Sequence, residues 1–355
     1  MTHLQKFQQE LAPGRAALIS SSQNSFYLAG GRYEGYLLIF RDRAVLLTDF
    51  RYREAAEKGA DPAFEILCPD SGMLDAVREL LLEEGIQEIV IEENHVTVAL
   101  RARMDQVLTD VTVHTGASAC FTALRAIKDE GELAAIAAAQ EITDAAFSHI
   151  LGYLKPGVRE IDVALELEYF MRRAGASGIA FGTIAVSGSA SALPHGVPRN
   201  LPLERGFLTM DFGARVGGYC ADMTRTVVIG KADAEMKRLY STVLSAQKAA
   251  LEMAAGGVGC RALDLVARDI IDGAGYEGCF GHSLGHGVGI DVHEAPRLSR
   301  GAGESDVLLP GHVVTVEPGI YLAGQYGCRI EDMIAVNADG SIRNFTKSEK
   351  ELIEI

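Results

Sequence analysis

Thr209-Met210-Asp211-Phe212-Gly213 resembles a later stretch of the same chain, Thr315-Val316-Glu317-Pro318-Gly319. In each stretch an acidic residue stands at the same point among apolar neighbours. Each stretch is followed by a glycine-containing turn and then by a returning strand that bears another acid. The repeat indicates two related halves, each contributing one hairpin, whose acids meet across a pseudo-twofold axis.

The first hairpin carries Asp211 on one strand and Asp222 on the other. A turn centred between Val216 and Gly217 would place the two acids directly opposite each other. Opposed side chains in an antiparallel pair lie roughly 5 Å apart at Cβ. Two carboxylates that close repel each other unless a cation lies between them. We therefore expect a cation at this hairpin.

The second hairpin carries Glu317 and Glu331 around Gly324, and the same reasoning applies to it. The alternative is two surface hairpins whose acids face water, because charged residues are usually exposed. The apolar neighbours argue against that alternative, since they make the strands typical of buried ones; they are Met210, Phe212, Val316 and Ile330.

A glycine-rich segment, residues 281–289, contains His286. It lacks the G-K-[ST] ending of a phosphate-binding loop and follows no clear strand. Two further imidazoles, His195 and His293, also stand near glycines or acids. One histidine and four carboxylates in apolar segments would be compensated by two adjacent divalent cations. Two-metal sites of this kind catalyse hydrolysis.

The length, charge and cysteine content of the chain exclude several classes of protein. The chain has 355 residues, enough for roughly two domains. Its net charge of −15 argues against nucleic acid and anionic membranes as partners. The N-terminus has no apolar segment typical of a signal peptide, and no apolar run approaches the ~18 residues of a membrane span. Six scattered cysteines fit reduced thiols, so we expect a cytoplasmic protein.

The order of predicted elements indicates two domains. Residues 1–125 alternate short strands with amphipathic helices, which predicts an α/β domain. Residues 126–355 begin with a long helix that ends at Lys155-Pro156-Gly157 and continue with strand-like runs separated by helices. This second part predicts an α+β domain with a largely antiparallel sheet.

Several motifs together resemble the pita-bread metallopeptidases. Within that family they are most similar to the proline peptidases, Xaa-Pro aminopeptidase and Xaa-Pro dipeptidase (prolidase). The resemblance covers nearly the whole chain and includes a creatinase-type N-terminal domain. The motifs are Asp49-Phe50-Arg51-Tyr52, Ser191-Ala192-Leu193-Pro194-His195-Gly196, the segment from Asp211 to Asp222, Gly285-His286-Gly287-Val288-Gly289, Val292-His293-Glu294, Thr315 to Tyr321, and Arg329-Ile330-Glu331-Asp332.

The resemblance implies a pita-bread catalytic domain with two duplicated halves and two metal ions. Asp211 would serve one ion, His286 and Glu317 the other, and Asp222 and Glu331 would bridge both. An oxygen-rich set with one imidazole suits Mn²⁺, with Co²⁺ or Zn²⁺ as alternatives.

The resemblance also gives roles to residues around the metals. Glu317 would act as general acid–base, and His195 and His293 would hold the substrate and stabilise the oxyanion. His282 would orient the site by hydrogen bonding. Arg329 would orient Glu331 or meet a substrate carboxylate, with a plain structural ion pair as the alternative.

The implied substrates are proline-containing peptides, and family behaviour indicates a homodimer. We expect an Xaa-Pro aminopeptidase, because no dedicated clamp for a substrate carboxylate is evident in the sequence. The alternatives are an Xaa-Pro dipeptidase and a non-catalytic pita-bread binding protein. All five ligand positions are filled, which disfavours the binding protein.

Overall fold

The chain folds into two compact units, Met1–Leu124 and Arg125–Ile355. The structure is a computed structural model that describes residues 1–70 and 72–355. Among those residues, no helix is both long enough and apolar enough to cross a membrane.

Ten α-helices and nineteen strands are found in the described part of the chain. The helices are α1 (His3–Glu10), α2 (Ser22–Ala29), α3 (Phe50–Gly59), α4 (Met73–Glu83), α5 (Val98–Val107), α6 (Ala117–Ala126), α7 (Glu130–Tyr153), α8 (Glu160–Arg173), α9 (Ala234–Met253) and α10 (Cys260–Ile271). The strands are β1 (Arg15–Ile19), β2 (Gly35–Ile39), β3 (Ala44–Thr48), β4 (Glu65–Leu67), β5 (Glu88–Ile91), β6 (Thr112–Thr115), β7 (Gly178–Ile179), β8 (Ile184–Ser187), β9 (Gly206–Phe212), β10 (Ala214–Val216), β11 (Tyr219–Cys220), β12 (Met223–Ile229), β13 (Gly285–Gly287), β14 (Glu294–Leu298), β15 (Val313–Val316), β16 (Gly319–Leu322), β17 (Tyr326–Arg329), β18 (Asp332–Val336) and β19 (Ile342–Asn344).

The first unit is an α/β domain around one sheet. Its strand order is β4-β3-β2-β1-β5-β6, and only β2 runs antiparallel to its neighbours. Strands β1, β2 and β3 are buried because their residues are almost all apolar, and α4 packs Val77 and Leu81 into the same core. The α/β class expected from the sequence is confirmed.

The second unit consists of two similar halves. Each half begins with a long helix, a glycine-containing turn and a shorter helix: α7 and α8 in one, α9 and α10 in the other. Helix α7 starts at the capping box of Asp129 and Glu132 and ends before Pro156, which cannot continue a helix. All strand pairs in this unit are antiparallel, so the predicted α+β fold with duplicated halves is confirmed.

Strand alternation in the two halves directs acids away from their cores. The sheet β12-β9-β8 belongs to the first half, and the sheet β14-β13-β15-β18-β19 to the second. On β9 the side chains of Met210 and Phe212 are fully buried in the core, so Asp211 between them lies on the opposite face. Val314 and Val316 on β15 are buried in the second core.

Candidate active site

The first hairpin brings its two acids together with a register that differs from the expected one. Asp211 on β9 lies opposite Thr224 on β12, not opposite Asp222. The turn consists of Gly217 and Gly218, both at positive φ, 54° and 86°, as a two-residue hairpin turn requires. The centre of this turn lies one residue later than expected, between Gly217 and Gly218. The expectation of direct opposition was therefore wrong, and Asp222 lies in the link before β12.

The second hairpin has the expected register. The β15–β18 ladder ends with Val316 opposite Asp332, and the β16–β17 ladder continues in the same register around Gly324. Glu317 and Glu331 occupy opposed positions in the gap between these two ladders. The loop is symmetrical about Gly324, so counting outward from the glycine gave the correct pairing.

His286 lies on β13, and each of its two ring nitrogens faces a defined group. Its Nδ1 is 3.1 Å from the carbonyl oxygen of Gly287, which makes Nδ1 the donor, and its backbone N–H donates to Thr315 Oγ1. Its Nε2 lies 3.3 Å from Glu317 Oε1 and 3.7 Å from Asp222 Oδ2. Nε2 is therefore free to offer its lone pair to a cation among these acids.

All the residues predicted for the site line one cleft, with a volume of about 800 Å³. Ligand atoms of Asp222, His286 and Glu331 lie within 4.8 Å of one another, as the ligands of one metal ion do. The predicted residues that meet in the cleft are Asp211, Asp222, His286, Glu317 and Glu331, with His195, His282, His293 and Arg329.

The buried acids carry an excess of negative charge. Burial, and then the neighbouring carboxylates, raise the pKa of Asp222 and of Glu331 well above their ordinary values. Burial likewise raises the pKa of Glu317 to about 8, although Arg329 opposes the shift. Asp211 Oδ1 is buried and, among the described residues, has no hydrogen-bond partner. Such an unsatisfied, oxygen-rich set suits divalent cations.

Arg329 and a tyrosine link the acids to His282. The buried guanidinium of Arg329 donates to Asp211 Oδ2 at 2.6 Å and to the Tyr321 hydroxyl at 2.8 Å. His282 Nε2 is 2.8 Å from the same hydroxyl, and burial lowers the pKa of His282 to about 3, so its ring is neutral. Arg329 thus orients Asp211 rather than Glu331. The sequence did not indicate this role of Tyr321, although Tyr321 lies only four residues after Glu317.

His195 and His293 approach the cleft from two loops. His195 is exposed on the loop after β8, while the ring of His293 lies edge-on to His286 with centroids 4.3 Å apart. Burial lowers the pKa of His293, which favours a neutral imidazole at neutral pH. Neither ring is among the groups that could hold a metal with Asp222 and Glu331, as the sequence predicts.

Comparison with known families identifies both units. Residues 134–338 match the family model for metallopeptidase family M24, and residues 3–127 match that for the creatinase/prolidase N-terminal domain. The chain belongs to metallopeptidase family M24. The recognition of a pita-bread metallopeptidase from the motifs is therefore confirmed.

Relatives of this M24 chain match it over nearly its whole length. An Xaa-Pro dipeptidase from Pyrococcus horikoshii is 38% identical, over 95% of this chain and 94% of the relative. The structure of an Xaa-Pro dipeptidase from Bacillus anthracis is 39% identical, with a TM-score of 0.94 and 99% of each chain covered. An X-Pro aminopeptidase structure from Thermotoga maritima is 37% identical, with a TM-score of 0.90 and coverage of 98% and 99%.

The M24 cleft contains a cation that the sequence did not single out. Arg297 on β14 lies opposite His286 on β13, where a β-bulge shifts the register. Its side chain lines the cleft and is 3.4 Å from Ser283 Oγ. No carboxylate within the described residues forms a salt bridge with it. No local motif marks Arg297, because its place depends on the pairing of two strands.

The raised pKa of Glu317 predicts an unusual dependence of stability on pH. The unfolded chain releases this proton near the ordinary value of 4.5, whereas the metal-free folded protein holds it up to about pH 8. Folding therefore becomes less favourable as pH rises through this window. We expect the thermal melting temperature of the metal-free protein, measured by calorimetry, to fall more steeply across it than that of Glu317→Gln. Parallel curves for the two proteins would contradict the shift.

Proposed function

We propose that this chain is an Xaa-Pro dipeptidase, a metal-dependent prolidase that splits dipeptides before proline. From the sequence we expected an Xaa-Pro aminopeptidase, and the relatives favour the dipeptidase instead. Two of the three relatives described above are Xaa-Pro dipeptidases. Membership of a metallopeptidase family also argues against a non-catalytic binding protein.

Arg297 is the observation that carries the choice of a dipeptide. A dipeptide Xaa-Pro presents a free carboxylate on the residue directly after the scissile bond, and a longer peptide does not. The guanidinium of Arg297, which forms no salt bridge within the described residues, lies next to His286 in the same cleft and suits that carboxylate. Arg329 is less suited, because it is buried and already donates to Asp211 and Tyr321.

The five predicted ligands fit two divalent cations, and we propose Mn²⁺ as the preferred ion. The excess charge of four carboxylates over one buried guanidinium and the unpartnered Asp211 Oδ1 support this donor set. Asp222 and Glu331 would bridge the ions, Asp211 would bind one, and His286 and Glu317 the other. When bound, such ions lower the pKa of water and polarise a carbonyl group.

The chain's own residues would orient the substrate and move the proton. Glu317 would take the proton of the attacking water and pass it to the proline nitrogen. That nitrogen carries no N–H before cleavage and needs a proton to leave as an amine. His293 and His195 would donate hydrogen bonds to the oxygen of the scissile carbonyl as it gains negative charge. A homodimer and a cytoplasmic location remain predictions.

Substrate length tests the proposed function. With Mn²⁺ present, we expect Ala-Pro to be hydrolysed with a kcat/KM about 10- to 100-fold above that for Ala-Pro-Ala, the range that one charge-assisted contact provides. Release of free alanine, followed by chromatography, measures both reactions. Faster cleavage of the tripeptide would return the assignment to an aminopeptidase, and no cleavage of either would favour a binding protein.

The variant Arg297→Gln tests the carboxylate contact. We expect a KM for Ala-Pro raised about tenfold or more, with metal content unchanged, because the guanidinium binds the substrate and not the ions. The variant should hydrolyse Ala-Pro amide, which lacks the carboxylate, as the wild type does. Arg300→Gln is the matched control, since Arg300 is exposed three residues further along and does not line the cleft. An unchanged KM in Arg297→Gln would exclude the contact.

The variant Asp222→Asn tests the metal site. Loss of a bridging carboxylate should remove bound metal and nearly all activity while leaving the fold intact, because it also relieves repulsion among buried acids. Metal content by atomic emission and turnover of Ala-Pro are the two measurements. Full metal content together with full activity would refute the ligand assignment.

A further inference from the structure

The position of His293 in the cleft depends on its loop. The ring packs edge-on against His286, and it forms no hydrogen bond with any residue that the structure describes. Apart from this packing, the position of the ring is set by the backbone of the segment between Asp291 and Glu294. How that segment is fixed decides how well the imidazole is placed.

Glu294 links the two ends of the segment from Asp291 to Glu294 through hydrogen bonds. Its Oε1 accepts a hydrogen bond from the backbone N–H of Asp291 at 3.0 Å. Arg125 Nη2 donates to that same Oε1 and also, at 2.7 Å, to Asp291 Oδ2. The two acids on either side of His293 are thus joined through one guanidinium, and the segment between them is constrained.

Lys128 holds the other oxygen of Glu294. Its Nζ donates to Oε2 at 3.0 Å, and its backbone N–H donates to the carbonyl oxygen of Gly311. The side chains of Lys128 and Glu294 are only 1% and 7% exposed, and that of Arg125 is 12% exposed. Burial alone would raise the pKa of Glu294, but the charges of Lys128 and Arg125 outweigh it and lower that pKa. The largely buried cations of Lys128 and Arg125 therefore both form salt bridges with the carboxylate of Glu294.

The packing around this carboxylate leaves little room for another arrangement. A Cβ atom on Gly289 would lie 2.4 Å from Glu294 Oε2, so a larger residue there would displace this carboxylate. Gly289 also donates its backbone N–H to the carbonyl oxygen of Asp291. Gly289, which leaves room for the Glu294 carboxylate, is thus hydrogen-bonded to the segment that carries His293.

We propose that Glu294, held by Arg125 and Lys128, is a positioning residue that fixes the imidazole of His293 for hydrolysis. The proposal rests on the role given to His293 in the proposed function. Glu294 borders the cleft, but both of its oxygens are occupied by these donors. It therefore acts through His293 and not on the substrate.

The variant Glu294→Gln disturbs the cluster with little change of shape. Its amide can accept from Arg125, but its NH₂ group then faces the ammonium of Lys128, which has no acceptor left. We expect kcat for Ala-Pro to fall about 10- to 100-fold, the scale of a misplaced catalytic group, with KM within twofold and metal content unchanged. Lys128→Met, which removes the cation and leaves the carboxylate, should lower kcat in the same direction.

A double-mutant cycle separates positioning from other roles. In the background of His293→Ala, Glu294→Gln should cause no further loss of kcat, because the group that it positions is gone. If the loss of kcat in the double variant equals the product of the losses in the two single variants, the proposal is overturned. If His293→Ala alone keeps full turnover, the catalytic role proposed for His293 fails. If His293→Ala is slow and Glu294→Gln lowers its kcat further by the same factor as in the wild type, only the positioning role is rejected.

Leu239→Ala controls for loss of stability. Leu239 is fully buried in the core of the second half, away from the cleft-lining residues. It should lower the melting temperature at least as much as Glu294→Gln and leave kcat unchanged. An equal drop of kcat in both variants would attribute the effect to general destabilisation and overturn the proposal.

Discussion

The charge imbalance of the cleft is the constraint on which the second unit depends. Four carboxylates, Asp211, Asp222, Glu317 and Glu331, line the cleft together with the buried guanidinium of Arg329. Taking such ions out of water costs several kcal/mol each unless opposite charge compensates them. The acids therefore bind either protons or cations. The raised pKa values of Asp222, Glu317 and Glu331 show that, without cations, these acids tend to hold protons. The chain has to keep them together against their own repulsion.

Ion pairs that contain a buried carboxylate, close to the cleft, provide that restraint. A buried pair adds little net stability, but breaking it is costly, so it selects one backbone arrangement from several. Loops that carry site residues are fixed in this way to the helices and strands behind them. The pairs are Glu160–Arg199 beside the His195 loop, Asp264–Arg268 beside the segment of His282, and Arg225–Asp332 next to Glu331. The geometry of the acids thus follows from charges that take no part in the chemistry.

Local patterns in the sequence predicted the acids and the duplicated halves, but long-range pairing decided the details. Glu317 and Glu331 were paired correctly because their loop is symmetrical about one glycine. The register predicted for Asp211 was wrong because the sequence does not distinguish a turn at Gly217-Gly218 from one centred one residue earlier, at Val216-Gly217. Arg297 was missed for a further reason: it joins the site through pairing with β13 across a bulge.

The role proposed for Arg297 separates recognition of substrate length from the metal-ligand motifs. The acids lie on hairpins and their links, where repulsion and burial restrict each position to one kind of side chain. Arg297 lies on the outer strand β14, where its side chain is exposed and, within the described residues, forms no salt bridge. Under the proposed function, a substitution there would weaken recognition of the dipeptide carboxylate and leave the metal ligands in place. On that proposal, selectivity between dipeptides and longer peptides is best sought on β14 and not among the metal ligands.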